Sequence, residues 1–420
     1  MRFTSLHMEN FRGTHELDID FEPDITVIVG RNGAGKSSIL DALGMMMKFV
    51  RAHIDGRYRI NLDRNISPQD VRENSKYFLI RISYEVENSR IILKNPSELE
   101  IVYVENRQSL RNDMSRDLKH SLKSVDHKPR FIYYRQVRGF EPKKMGRNVD
   151  DLIRTLDPES VQTHSLNEDL QAIGDLELWW DRRDADEARR VRDDKRNYRD
   201  PQLEAIRKLI TKIDSFSGIS FTSTSSPPGL HFLKNDGTPV HVNSLSGGER
   251  SYIILLADLA RRLQVFAPGK RLEEISAIVL IDEIELNLHP AWQSEIVPAL
   301  TAVFRACQFI VTTHSPQVLS GVDNGKVRMI EEDVPGRSSK VTGPLSTKGR
   351  TSNYLLEGIF DASERYPPIE RLIDDFNRAI DKGDGEKATK ILTSIENEIE
   401  EDTATVLVLR KRLKNLRFSA

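Results

Sequence analysis

The chain has 420 residues, of which 38% are hydrophobic and 30% are charged, a balance that fits a folded soluble protein and excludes a wholly disordered one. Its 62 Lys and Arg residues and 64 Asp and Glu residues leave a net charge of -2, which gives no general attraction to nucleic acid. The single cysteine, Cys307, excludes an internal disulfide and fits a buried position in a protein of the reducing cytoplasm. No apolar stretch approaches the roughly 20 residues of a membrane-spanning helix, so we expect no membrane segment.

The strands predicted in the N-terminal part surround one glycine-rich turn. Residues 25–29 form a β-branched apolar run, typical of a strand buried in a parallel sheet, and the turn and a helix follow it. Residues 105–128 are polar and poorly periodic, so we expect an exposed loop there. The predicted strands cover residues 2–8, 15–21, 25–29, 77–86, 99–104 and 129–134.

A highly charged segment, residues 150–215, predicts a helical insertion. It contains the pair Trp179-Trp180 beside a run that is rich in arginine and aspartate. Two interpretations remain open. The charges could form an ordinary solvated helical face, or exposed aromatic side chains among arginines could mark a binding patch for a partner or nucleic acid.

The rest of the chain alternates strands with helices and then becomes helical. This alternation predicts a largely parallel α/β sheet, and Gly383-Asp384-Gly385 separates two helices of the tail. The predicted fold class is therefore α/β, with a mostly parallel sheet, an antiparallel N-terminal β portion, a helical insertion and a helical C-terminal tail. The expected segments are 1–149 and 216–345 for the two halves of the main domain, 150–215 for the insertion and 346–420 for the tail.

Residues 30–37, GRNGAGKS, fit the phosphate-binding pattern G-x-x-x-x-G-K-[ST] and lie between a buried strand and a helix. Glycines let backbone N–H groups surround phosphate oxygens, and the helix N-terminus adds its positive dipole. Lys36 would reach the β- and γ-phosphates, and the Ser37 hydroxyl would bind Mg²⁺. The pattern predicts an ATP site with the contact residues Asn32, Gly33, Ala34, Gly35, Lys36, Ser37 and Ser38.

The apolar run 278–281 ends in two acids, Asp282 and Glu283. Asp282 suits the Mg²⁺ site, and Glu283 suits polarisation of the attacking water. Acids at a strand end are often only solvated, so this motif alone would be ambiguous. Beside the phosphate-binding pattern it indicates a hydrolytic site.

Residues 245–250, LSGGER, precede that strand and open an apolar helix. This order of motifs resembles the ABC ATPases, whose signature motif has this form. In that family the signature of one protomer covers the γ-phosphate bound to the other, so the resemblance implies that Ser246, Gly247 and Gly248 act in trans in a head-to-tail dimer. A hydroxyl and free N–H groups at a helix start suit an anion chemically.

The resemblance implies roles for further positions. Residues 285–289 occupy the place of the family's D-loop, and His314 occupies the place of its switch histidine, which would act with Glu283 and Lys36. Gln136 is the candidate for sensing the γ-phosphate and Mg²⁺, with an ordinary loop glutamine as the alternative. Residues 10–13, NFRG, resemble the N-terminal motif of the SMC, Rad50 and RecF branch, in which the arginine, here Arg12, approaches the nucleotide. A plain surface arginine is the alternative.

Within that branch, residues 279–293 and 308–319 are closely similar to the stand-alone bacterial ATPases of the AAA15/AAA21 and OLD-like group. The resemblance implies ATP and Mg²⁺ as cofactors, a homodimer or higher oligomer, and the role of ATP-dependent sensor or regulatory subunit in an anti-phage system such as Septu or certain retrons. The expected effector is a separate nuclease, an HNH protein in Septu, because the tail lacks a recognisable nuclease centre. Direct nucleic-acid contact stays open. A DNA-repair ATPase of the RecF or Rad50 kind is the alternative, since it would share every motif.

Overall fold

The structure, a computed structural model, describes residues 1–54, 68–85, 87–88, 91–92, 97–104, 129–135, 163–165, 169–193, 197–222, 228–334, 338–360, 366–399 and 404–419. Gln136 and the loop predicted at 105–128 lie outside these residues. The chain divides into two compact units, Met1–Thr351 and Ser352–Ala420. The finer boundaries at 149, 215 and 345 stay predictions.

The strands have the following bounds. They are β1 (Arg2–Phe11), β2 (Thr14–Asp20), β3 (Ile25–Gly30), β4 (Tyr77–Glu85), β5 (Glu87–Asn88), β6 (Ile91–Ile92), β7 (Ser97–Val104), β8 (Phe131–Arg135), β9 (Thr163–Ser165), β10 (Phe216–Thr222), β11 (Gly229–Lys234), β12 (Pro239–His241), β13 (Ile278–Ile281), β14 (Gln308–Thr312), β15 (Val327–Val334) and β16 (Ser338–Leu345).

The α-helices begin with the one that follows the glycine-rich turn. They are α1 (Lys36–Ile54), α2 (Asp169–Asp193), α3 (Pro201–Ile210), α4 (Gly247–Phe266), α5 (Pro290–Gln293), α6 (Ile296–Val303), α7 (Pro316–Ser320), α8 (Ser352–Phe360), α9 (Pro367–Asp381), α10 (Gly385–Glu398) and α11 (Ala404–Ser419). None of these helices, over its described residues, has an apolar stretch long enough to cross a membrane.

The main sheet has the strand order β16-β15-β3-β14-β13-β8-β9. Its neighbours from β15 to β9 are parallel, and only the β15–β16 pair of this sheet is antiparallel. Every residue of β3, β13 and β14 is buried, as expected for apolar strands covered on both faces. The predicted α/β fold with a mostly parallel sheet is confirmed.

The register of the main sheet brings four strand ends to one edge. Val27 of β3 pairs with Val311 of β14, and Leu280 of β13 pairs with both Ile310 of β14 and Tyr133 of β8. Because these strands are parallel, their carboxyl ends lie side by side. This is where open α/β sheets bind ligands.

An antiparallel sheet of order β2-β1-β4-β7 forms the predicted N-terminal β portion. Its apolar side chains, including Met8 and Ile80, share one core with Leu43 of α1 and Leu280 of the main sheet. Helix α1 is therefore held between the two sheets. This packing fixes the position of the helix N-terminus that follows the glycine-rich turn.

The charged insertion does not expose its tryptophans. Trp179 and Trp180 in α2 are 2% and 0% exposed. Guanidinium groups cover the indole rings: Arg183 lies 5.5 Å from the centroid of Trp179, and Arg207 lies 5.7 Å from that of Trp180. The interpretation of an exposed aromatic binding patch is wrong, because both indole rings are buried and guanidinium groups from α2 and α3 lie over them.

The unit Ser352–Ala420 is helical, in agreement with the predicted tail. Helices α9, α10 and α11 share a core that includes Phe376, Leu392 and Leu409. Gly383 has a left-handed backbone with φ of 74°, and Asp384 caps α10 by accepting the Lys387 N–H. The predicted Gly-Asp-Gly boundary between two helices is therefore confirmed.

Candidate functional site

The glycine-rich turn joins the end of β3 to the N-terminus of α1. Gly33 and Gly35 have φ angles of 84° and 95°, a left-handed backbone that favours glycine. The turn can therefore curl with its N–H groups toward one point. Together with the positive end of α1 it forms a cradle suited to phosphate oxygens.

Lys36 is the first residue of α1, and its side chain folds back over the turn. Its ammonium Nζ donates to the carbonyl oxygens of Gly30 at 2.8 Å and Arg31 at 2.9 Å. Burial lowers the pKa of Lys36 to about 8, against the opposing attraction of Asp282, Glu285 and Glu283. The amine is thus desolvated beside the turn, and the neighbouring acids favour its charged form.

Asp282 follows β13 and lies beside Ser37. The Ser37 hydroxyl donates to Oδ1 of Asp282 at 3.3 Å, although the two residues are 245 positions apart in sequence. A hydroxyl and a carboxylate are the hard oxygen ligands that Mg²⁺ prefers, so this donor set fits the ion. The fold therefore brings together two residues that the sequence analysis assigned to one Mg²⁺ site, and their binding of the ion stays a prediction.

Thr312, the last residue of β14, connects the two acids. Its hydroxyl donates to Oδ1 of Asp282 at 2.6 Å and accepts the backbone N–H of Glu283 at 2.8 Å. Glu283 has a φ of 51°, which a non-glycine residue adopts only where its surroundings enforce it. Thr312 therefore fixes the backbone that presents Glu283.

Glu285 is half-buried beside residues 313–315, which we call the histidine segment. Its carboxylate accepts from the Thr313 hydroxyl at 2.7 Å and from the backbone N–H of His314 at 2.5 Å. Burial raises the pKa of Glu285, and the charge of Glu283 acts in the same direction, while the two donors oppose the shift. Sequence patterns singled out neither Thr312 nor the contacts of Glu285, and the only signal was their place beside Asp282 and His314.

Arg12 lies in the turn between β1 and β2, where it has a φ of 54°. Its guanidinium donates to Asp70 at 2.9 Å and to Asp41 of α1 at 2.5 Å. Asp41 also accepts from Tyr133 at 2.9 Å and from Arg135. Burial raises the pKa of Asp41, but the two arginines outweigh it and hold the pKa below its usual value. Arg12 is therefore tied to the phosphate-binding helix, and its approach to nucleotide stays a prediction.

The signature residues begin helix α4. Ser246 is the N-cap in a capping box with Glu249: its hydroxyl accepts the Glu249 N–H at 3.3 Å, and its own N–H donates to the Glu249 carboxylate at 3.1 Å. A Cβ added to Gly248 would lie 2.7 Å from the backbone N of His289, whereas one added to Gly247 would meet nothing within 4 Å. Gly248 thus faces the segment that contains His289, and Gly247 faces solvent.

The fold therefore gathers most of the predicted residues into two places. The segment 32–38, Asp282, Glu283 and His314 all lie in or directly after elements that meet at the carboxyl edge of the main sheet. Ser246, Gly247 and Gly248 lie at the start of α4, against the segment that contains His289. Gln136 follows β8, but its position lies outside the described residues.

Residues 25–320 match the family model AAA_21, described as "AAA domain, putative AbiEii toxin, Type IV TA system". The chain belongs to the AAA_21 family. The match spans more than half of the chain and runs from β3 through α7, so it contains the phosphate-binding turn, the signature residues, both acids and His314.

Named relatives of this AAA_21 protein extend over most of the chain. The "Retron Ec83 probable ATPase" of Escherichia coli is 26% identical over a match that covers 99% of this chain and 87% of its own length. The "Retron Vc95 probable ATPase" of Vibrio cholerae serotype O1 biovar El Tor is 28% identical, with coverages of 74% and 70%. The "Septu protein PtuA" of Bacillus thuringiensis is 24% identical, with coverages of 91% and 90%. The AAA_21 chain is accordingly an ATP hydrolase.

Among solved structures, an SMC head bound to the C-terminal winged-helix domain of ScpA matches 81% of this chain and 97% of its own. Its sequence identity is 18%, and its TM-score is 0.46.

Proposed function

We propose that this ATPase hydrolyses ATP at composite sites in a head-to-tail dimer, and that it is the ATP-dependent regulatory subunit of a bacterial anti-phage complex with a separate nuclease. The single observation that supports the hydrolytic site best is the contact between Ser37 and Asp282 beside Lys36. It joins the two motifs on which magnesium-dependent phosphoryl chemistry depends.

Each residue of the edge has a distinct task in this proposal. Lys36 and the N–H groups of the turn bind the phosphates, while Ser37 and Asp282 hold Mg²⁺. The bound ion would neutralise charge on the phosphate oxygens. Glu283 accepts a hydrogen bond from the attacking water, which orients it toward the terminal phosphate, and His314 donates to the same phosphate from the neighbouring strand end.

Two features of the signature support its action in trans. Ser246 and Gly247 are exposed at the start of α4. The N–H and hydroxyl of Ser246 already donate to the Glu249 carboxylate, so the other N–H groups of the first helical turn are the donors open to an anion. Gly248 instead packs against His289 of the same protomer, and this contact fixes the position of the helix start. An exposed anion-binding helix end is complementary to a phosphate that a second protomer presents.

The defence role is supported by the named relatives and by the motif resemblance. Matches that cover nine-tenths or more of the chain carry retron and Septu names. Among the described residues, the one group of three or more His, Cys, Asp or Glu side chains close enough to share a metal is His7, Glu16 and Asp18, which lies on the N-terminal sheet. His7 of this group is paired with Asp18 at 2.8 Å, and Glu16 and Asp18 are exposed. In this proposal nuclease activity belongs to a separate partner.

The test compares the purified chain with its Glu283→Gln variant. The wild-type chain should hydrolyse ATP but leave DNA and RNA uncut with Mg²⁺ or Mn²⁺, and co-expression with adjacent reading frames should recover a nuclease in a stable complex. Glu283→Gln should bind ATP normally and turn it over at least about 10²-fold more slowly, because the amide is a weaker acceptor for water. Robust cutting by this chain alone, retained in ATPase variants, would contradict the proposal. Strong stimulation of ATP turnover by DNA, without a nuclease partner, would favour the repair alternative.

A further inference from the structure

Glu285 makes contacts that the assigned tasks do not use. It lies two residues after Glu283, and its two carboxylate oxygens accept from different donors of the histidine segment. Oε2 accepts from the Thr313 hydroxyl, and Oε1 accepts from the backbone N–H of His314. The second contact, 2.5 Å long, is the one that bears directly on the position of His314.

The histidine segment is tied to the rest of the edge through Thr313. The N–H of Thr313 donates to the carbonyl of Ile28 in β3 at 3.1 Å, and its hydroxyl accepts the N–H of Ser315 at 3.0 Å. Ile284 adds a backbone bond by donating to the carbonyl of Thr312 at 3.0 Å. Among the described residues 313–315, the backbone N–H of His314 is the one that donates to Glu285, whereas those of Thr313 and Ser315 donate to Ile28 and Thr313. Removing the carboxylate would therefore remove the hydrogen bonds to the His314 N–H and the Thr313 hydroxyl, while the N–H groups of Thr313 and Ser315 keep their acceptors.

Residues 283–292, the segment that contains Glu285, contact helix α4 at their other end. His289 lies against Gly248, and the ring centroids of Trp292 and Tyr252 lie 4.4 Å apart in an edge-to-face arrangement. The segment from Glu283 to Trp292 thus spans from the histidine of one nucleotide site to the helix start that would serve the partner's site. Glu285 is its attachment at the histidine end.

We propose that Glu285 is a positioning residue for ATP hydrolysis, which fixes His314 at the terminal phosphate through the geometry of its two oxygens and not through its charge. This inference rests on the proposed role of His314. A group that acts through another shows a non-additive effect when both are removed.

Two conservative variants separate geometry from charge. Glu285→Gln keeps the length of the side chain, so its amide oxygen can accept from His314 while its NH₂ donates to the Thr313 oxygen. Glu285→Asp keeps the charge but is one methylene shorter and cannot reach both donors. We expect kcat within about threefold of wild type for the glutamine variant and a fall of about tenfold for the aspartate variant, with KM for ATP nearly unchanged in both.

A double-mutant cycle with His314→Ala completes the experiment. Glu285→Asp combined with His314→Ala should be no slower than His314→Ala alone, within about twofold. Additive losses, or a glutamine variant slower than the aspartate variant, would overturn the role of Glu285. If His314→Ala itself turns over ATP like wild type, the site assignment fails first, and the inference fails with it. Melting temperature and ATP binding of each variant show whether a loss reflects folding, and the glutamine variant keeps the comparison available if the aspartate variant is unstable.

Discussion

The hydroxyl of Thr312 donates to the Asp282 carboxylate at 2.6 Å and lies at the end of the strand that is paired with β13. Thr312→Val keeps the shape of this buried side chain but removes the donor to Asp282 and the acceptor for the Glu283 N–H. We expect ATP turnover to fall by about tenfold or more, with a higher Mg²⁺ requirement, because Asp282 and Glu283 lose their orientation. Steady-state ATPase assays over a magnesium series measure both effects.

Thr312→Ser is the matched control for this prediction, since it keeps the hydroxyl and removes only a methyl group. It should retain most of the turnover and the magnesium requirement of the wild-type chain. A serine variant as impaired as the valine variant would show that packing of the methyl group, and not the hydrogen bonds, is what matters at this position.

Contiguous motifs allowed much of the site to be predicted from sequence. The turn that contains Lys36, the acids after β13 and the glycines of α4 each carry their chemistry within a few consecutive residues. Apolar runs of the length found in β3 and β14 also predict buried parallel strands. The alternation of such strands with helices was enough to predict the α/β fold.

The remaining contacts depend on register between distant strands. Thr312 reaches Asp282 only because Ile281 pairs with Val311, and no local pattern specifies this register. The sequence left the environment of Trp179 open for a similar reason. Arginine can cover an aromatic ring as well as surround an exposed one, and the packing partners that decide between the two are distant in sequence.

The second prediction concerns the two signature glycines, Gly247 and Gly248, at which an added methyl group would meet different surroundings. Gly247→Ala places its methyl group in open space and replaces a helical glycine, so the melting temperature should stay the same or rise. ATP turnover should nevertheless fall by at least about tenfold, because the methyl group would obstruct the phosphate of the partner protomer. Turnover at the wild-type level would argue against the exposed signature face as part of a site.

Gly248→Ala is the companion variant. Its methyl group would collide with His289 within the same protomer, so both the melting temperature and ATP turnover should fall. Thermal unfolding and ATPase assays on the two variants therefore separate a defect between protomers from one inside a protomer.

The N-terminal sheet should carry a pH-dependent part of the stability. His7 lies between Glu9, 3.0 Å away, and Asp18, 2.8 Å away. Burial lowers the pKa of His7, but the two carboxylates together outweigh it and raise the pKa above 6.5. The folded state therefore binds the proton more tightly than the unfolded chain. This stabilisation is fully present below pH 6.5 and is lost as the pH rises through the folded pKa.

Denaturant unfolding of wild type and His7→Asn at pH 6 and pH 8 measures this contribution. The free energy of unfolding of wild type should exceed that of His7→Asn at pH 6, and this difference should shrink by about 0.5–1 kcal/mol at pH 8, since exposed ion pairs are weak. His15→Asn, which changes an exposed histidine of the neighbouring strand, is the control for general effects of losing a histidine. A difference in free energy of unfolding that grows toward pH 8 would refute the raised pKa of His7.

Complementation between two inactive variants tests the composite site most directly. Lys36→Ala removes the phosphate-binding lysine, and Ser246→Arg blocks the signature. Each homodimer should therefore contain no working site. A mixture forms heterodimers in which one site combines the intact turn of one protomer with the intact signature of the other. Composite sites predict that ATPase activity reappears on mixing, at up to about a quarter of the wild-type rate for random pairing of equal amounts. A mixture that forms heterodimers, as shown by differently tagged protomers, and yet stays as inactive as its parents would contradict the account.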